Sequence, residues 1–163
     1  MAKPALTRYA VDSLVDARKY ASRVKKNTVD SKDPKNGELL ILFDIRRVGM
    51  PTVDLALEFR GRVMKAALPG VASNLYPSAS LIWHGQRIRC LDHKIVHDVI
   101  ENGIVCGRIK GWHEHFWTEA DGDEAIRIPD PPVKNYDLHA IIAWCSSKWN
   151  IEGIEERQRL FND

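Results

Sequence analysis

Hydrophobic positions along the chain change period several times, and each change marks a predicted element. From Leu6 to about Val24, Ala10, Leu14, Ala17, Ala21 and Val24 recur at steps of three and four, the spacing of an amphipathic helix, with Pro4 near its start. Arg18, Lys19, Arg23, Lys25 and Lys26 gather toward its end, where cations either complement the negative end of the helix dipole or face phosphate. The stretch "NTVDSKDPKNGE" is rich in turn formers and predicts a flexible surface loop at 27–37. "LLILFDI", residues 39 to 45, is almost continuously apolar, as expected of a strand buried on both faces at the centre of a sheet. In "TVDLALEFR", residues 52 to 60, Val53, Leu55, Leu57 and Phe59 alternate with polar or small residues, predicting a strand followed by a short helical turn. A helix capped by Thr52 competes there, because Leu55, Phe59, Val63 and Ala66 also fit helical spacing through Leu68.

The middle of the chain alternates with period two. "ASLIWHGQRIRCLDHKIVHD", residues 79 to 98, reads as two strands joined around His84, Gly85 and Gln86. Reversals near "DVIENG" and at "DGD", residues 121 to 123, set off the strands "IVCGRIKGWHEHFW" and "EAIRIP", so an antiparallel meander is expected. Pro129, Pro131 and Pro132 end it, since proline cannot continue a paired ladder. Asn135 then caps a helix through Trp149, with Leu138, Ile141, Ile142, Cys145 and Trp149 as its apolar stripe, Gly153 as its end and a charged tail at 153–163. These elements predict an α+β fold, an antiparallel sheet covered on one side by N-terminal and C-terminal helices, as a single domain over residues 1–163.

Composition narrows the classes of function. A chain of 163 residues can bury a core without disulfides or a structural metal. Its 24 Lys and Arg against 22 Asp and Glu leave a formal charge of +2, so any nucleic-acid contact must come from where cations sit and not from their total. Three widely spaced cysteines with no CxxC pair suit a reducing cytoplasm. No stretch has the apolar core of a secretory signal or approaches the roughly 20 apolar residues of a membrane span.

Candidate chemistry concentrates in "GWHEHFW". On a strand, His113 and His115 share one face while Arg108, Lys110, Trp112 and Glu114 share the other. The neighbouring strand carries Arg87, Arg89, Leu91, His93, Ile95 and His97 on one face and Ile88, Cys90, Asp92, Lys94 and Val96 on the other. His93 or His97 lying across from His113 and His115 would assemble imidazoles for zinc or manganese, with Asp92 needing a loop or bend to join. Without a metal, His113 or His115 could act as general base toward an RNA 2′-hydroxyl. Arg87, Arg89, Arg108 and Lys110 would then meet phosphate, and Trp112 would offer a stacking ring. Cys90 has no local nucleophile signature, "DGDE" lacks the EF-hand pattern, and no GxGxxG or GxxxxGK loop occurs.

The segment from about residue 79 to 132, through "RIRCLDHK" and "GRIKGWHEHFW", resembles the small TumE-like toxins of toxin–antitoxin modules. The resemblance covers about a third of the chain and leaves out the long N-terminal region. It implies a toxin acting on RNA and held by a cognate antitoxin. The leading expectation is thus a cytoplasmic nucleic-acid-interacting protein, with ribonuclease activity through His113 or His115. A non-enzymatic assembly or protein-interaction subunit, whose aromatic residues bury against a partner, is the first alternative. A metal-dependent hydrolase is the second.

Overall fold

The computed structural model describes residues 6–30, 36–64, 78–101, 104–117, 124–128 and 138–154. Helix α1, Arg8–Asp16, is followed by strands β1, Lys19–Asp30, β2, Asn36–Arg47, β3, Leu55–Met64, β4, Ser78–Trp83, β5, Gln86–Glu101, β6, Ile104–Phe116, and β7, Glu124–Arg127. Helix α2, Leu138–Lys148, and the two-residue strand β8, Ile151–Glu152, complete the described chain. All eight described strands form one sheet in the order β7-β6-β5-β4-β3-β2-β1-β8. Neighbours from β1 to β7 are antiparallel, as the meander requires, whereas β8 runs parallel to β1, making the sheet mixed.

The expected α+β arrangement is thereby corrected. Among the described residues strands of up to 16 residues dominate, the two helices have 9 and 11, and the sheet is not covered by helices at its two ends. The main reason lies in the first 30 residues. The helix expected to reach Val24 stops at Asp16, and residues 19–30 pair with β2 instead. Ala17 and Ala21 fit helical spacing and strand alternation equally well, because alanine has too small a side chain to choose a face; pairing with a long neighbouring strand decides. Of the loop expected at 27–37, residues 27–30 belong to β1 and residues 36–37 to β2, and the rest lie outside the described residues.

Elsewhere the alternation carries. Leu55, Leu57 and Phe59 are buried in β3, which stays extended through Met64 and thus replaces both the Thr52-capped helix and the early part of the helical turn. Strand β2 is interior, flanked by β1 and β3, with Ile41, Phe43 and Ile45 buried. His84 and Gly85 link β4 to β5 with φ of 46° and 80°, a two-residue turn with both residues left-handed that matches the twist of its strands. The predicted Asn135 cap, the turn at 121–123, the prolines from 129 to 132 and the tail beyond Ile154 lie outside the described residues.

Helix α2 buries Ile141, Ile142, Cys145 and the following Trp149, as its stripe predicts. Its end is not at Gly153: Asn150 takes the left-handed conformation, φ 51°, and Ile151 already pairs with Lys19. Asn150 also links the α1–β1 junction to the segment after α2, donating from Nδ2 to the Asp16 carbonyl at 2.9 Å and accepting through its own carbonyl from the Lys19 amide at 3.0 Å.

Lys19 solves the problem created by stopping α1 inside the protein. Its fully buried side chain turns back from the first position of β1, and Nζ donates to the carbonyls of Leu14 (3.0 Å), Val15 (2.6 Å) and Ala17. A strand residue thus satisfies the helix's last carbonyls and opposes its dipole, the role expected of a cation in the last helical turn. Burial pulls the Lys19 ammonium down to about 8, with Asp16 opposing that effect and Arg47 reinforcing it.

Because the folded value lies below the ordinary 10.5, the unfolded chain holds more protons between about pH 8 and 10.5, and Lys19's contribution to stability rises with pH through that window. Urea unfolding of wild type and Lys19→Met across this range is expected to show wild type gaining on the order of 1–3 kcal/mol relative to the variant. A difference that stays flat or shrinks would contradict the placement of this lysine.

Candidate functional site

Side chains of cross-strand partners lie on the same face of a sheet, so the ladder between β5 and β6 decides which candidate residues meet. Leu91 pairs with Glu114, His93 with Trp112 and Arg89 with Phe116; one position on, Cys90 pairs with His115 and Asp92 with His113. The parity expected within each strand therefore holds through this region, but the sets combine differently from the imidazole cluster that the sequence suggested. His93 shares the face of Trp112, against which its ring packs edge-on at 5.1 Å. His97 lies opposite Ile109, beyond a bulge between Lys94 and His97.

On the face that meets the helices, Arg89 is committed to packing. It is 6% exposed, lies 4.4 Å above the Phe116 ring, donates to Asp12 of α1 at 2.8 Å and stands 3.9 Å from Glu114. Glu114 in turn accepts from the Trp149 indole beyond α2 at 2.8 Å. Burial raises the Glu114 carboxyl above the usual carboxylate range, while the Trp149 hydrogen bond, Arg89 and Lys148 pull it back. One buried cation and one partly buried carboxylate thus tie α1 and the residue that follows α2 to the same face of the sheet. Sequence reading missed this pair, because it needs the long-range contacts to Asp12 and Trp149.

The remaining cations are dispersed. Arg87 is exposed two residues past the β4–β5 turn, Arg108 is exposed and ion-paired with Asp98 at 3.0 Å, and Lys110 is exposed farther along β6. Trp112 is buried in the core cluster, 8% exposed. The residues expected to form a nucleic-acid surface therefore divide between the core, a turn and the distal part of β6.

His113 and His115 are brought together on the opposite face, both buried, with ring centroids 4.8 Å apart. Asp92 joins them directly through the ladder, without the loop or bend that seemed necessary, and one ligand atom from each of the three lies within 4.8 Å of the others. Nδ1 of His113 is 2.9 Å from the Gly111 carbonyl. A carbonyl can only accept, so this contact puts the proton on Nδ1 and leaves the lone pair on Nε2. Gly111 presents that carbonyl from a left-handed conformation, φ 83°, in which a side chain would be strained. Cys90 shares this face but directs its thiol to the Leu91 carbonyl at 3.7 Å.

A second feature was not foreseen. Strand β4 stops pairing with β5 at Leu91, and β7 pairs with β6 only from His113 onward. Residues 93–101 and 104–112 consequently continue as a ribbon that pairs with no other strand among the described residues, extending roughly 25–30 Å at the usual rise per residue. At its tip Ile104 and Val105 are 69% and 57% exposed.

Arg89→Met is expected to lower the free energy of unfolding by about 3 kcal/mol, the cost of leaving Glu114 in the interior without its cation. Arg87→Ala should leave the urea midpoint where it is. Equal midpoints for wild type and Arg89→Met would show that Arg89 does not hold the helices to the sheet.

Among the described residues, no helix is long and apolar enough to cross a membrane. Comparisons with protein-family models, curated proteins and solved structures yield no match, and function is read from this chain's own geometry.

Proposed function

We propose that this protein is a non-enzymatic assembly subunit that docks through the β5–β6 ribbon onto a second copy of itself. The observation that carries this reading is the ribbon leaving the sheet with Ile104 and Val105 exposed at its end. A two-stranded ribbon is marginal in water by itself, and edges that no other described strand pairs offer backbone donors and acceptors that another strand can satisfy. Exposed β-branched residues at the tip add apolar area whose burial favours docking.

Two features favour a protein occupant, and a copy of this chain in particular. Arg108 on the ribbon is already neutralised by Asp98, which weakens its attraction for phosphate. In addition, residues 94–101 read KIVHDVIE, a sequence complementary to itself when reversed. Antiparallel pairing about a two-fold axis between positions 97 and 98 sets basic position 94 against acidic 101, and apolar positions 95 and 96 against 100 and 99. A two-fold contact uses the same patch on both subunits, so a self-complementary strand is the pattern it needs. The alternative of a ribonuclease toxin draws less support from this geometry, because its candidate base sits among buried rings and its candidate cations are scattered.

Sedimentation equilibrium of the full chain over micromolar to submillimolar concentrations tests this directly. Wild type is expected to be dimeric, and Ile104→Asp with Val105→Asp should weaken association at least about tenfold, since about 1.4 kcal/mol of lost apolar burial already accounts for that factor. A wild-type monomer throughout the range, or a double variant that associates like wild type, would overturn docking by the ribbon; cleavage of RNA by the wild type would instead favour the nuclease reading.

A further inference from the structure

We propose that Asp92, His113 and His115 form a binding site for one divalent transition-metal ion, with zinc the ion best suited to the donor set. The site is distinct from the ribbon tip and does not depend on the assembly role. Its ligands come from two adjacent strands: Asp92 lies directly opposite His113, and His115 follows two residues later on the same face. Strand periodicity thus aims three donors at one point without requiring a loop.

Three observations point to an ion. The donor atoms already lie within 4.8 Å of one another, and tetrahedral coordination at zinc–ligand distances near 2.0–2.1 Å would draw them to roughly 3.4 Å apart. The Gly111 carbonyl holds Nδ1 of His113 at 2.9 Å, orienting the ring and leaving Nε2 as the ligating atom, the outer hydrogen bond that metal-bound histidines ordinarily make. Finally, both imidazoles are buried, 0% and 5% exposed, on the face they share with Asp92, whose carboxylate would balance part of a bound ion's charge. Two histidines and one aspartate also leave a fourth position for water or another small ligand.

The set differs from the one the sequence suggested. His93 is excluded from it because the ladder puts that residue on the face of Trp112. Asp92 takes the place of the third imidazole.

The experiment uses the full chain, stripped with a chelator and shown to be folded by circular dichroism. Cobalt(II) is titrated in and followed by its visible ligand-field absorption, then displaced with zinc. One equivalent of cobalt with the intense absorption of four-coordinate geometry, reversed by one equivalent of zinc, is expected; Asp92→Asn and His115→Gln should each weaken binding by at least about 100-fold, at or beyond the loss seen when only an outer partner is removed. Imidazole NMR of wild type provides a check independent of how the variants fold: zinc should shift the His113 and His115 ring resonances and leave those of His84 in place. Absence of cobalt and zinc uptake by folded wild type, or uptake that leaves the His113 and His115 resonances unmoved, would overturn the site.

Discussion

The register between β5 and β6 is the constraint on which the other features depend. With Leu91 opposite Glu114, the helix-facing side receives Arg89, His93, Trp112 and Glu114, and the other side receives Cys90, Asp92, His113 and His115. A slip of one residue would reverse one strand's faces relative to the other, placing His93 beside His113 and turning either the partly buried Glu114 carboxylate or the imidazole pair toward the wrong side. Several contacts oppose that slip at once. Arg89 lies over Phe116, His93 packs on Trp112, and Glu114 can reach the Trp149 indole only from the helix-facing side. Each is individually modest, yet all would be lost together.

The same economy governs the buried charges. Lys19, Arg89 and Glu114 all lie in or beside the apolar layer, and each is held where a backbone end or an opposite charge needs it. Lys19 finishes α1, and Arg89 and Glu114 bind the two helices to the sheet through Asp12 and Trp149. Polar groups in such positions add less net stability than an apolar residue of equal volume could, but they penalise any arrangement in which their partners are missing. The described helices are thereby fixed in position on a large sheet.

Much of the strand architecture was legible in the sequence because its signals are local. The alternation in 79–98 and 104–117 set the side-chain parity of β5 and β6, His84-Gly85 marked the tight turn, and the apolar stripe of α2 through Trp149 proved to be its buried face. The end of α1 was not legible, since the small alanines at 17 and 21 support both periods and the choice rests on pairing with β2. Register was not legible either. It depends on bulges such as those between Leu81 and Ile82 and between Lys94 and His97, whose extra residues shift partners without any change in the hydrophobic pattern. That is why both histidines of the cluster could be named from their own strand, whereas the identity of the residue facing them, Asp92 and not His93, required the fold.

Position links the cluster to the ribbon. Asp92 and His113 form the rung at which the sheet narrows: β4 has stopped pairing one residue earlier along β5, and β7 pairs with β6 from His113 onward. Beyond this rung the two strands have only each other among the described residues, and Gly111, with its positive φ, lies on the ribbon side of the junction. An ion held between β5 and β6 at this point would restrain the angle at which the ribbon leaves the sheet. Docking of a ribbon costs conformational entropy in proportion to what must be ordered, so a restraint at its base would reduce that cost without adding a contact to the interface. Metal binding and association would then favour one another, through the stiffness of a single cross-strand rung.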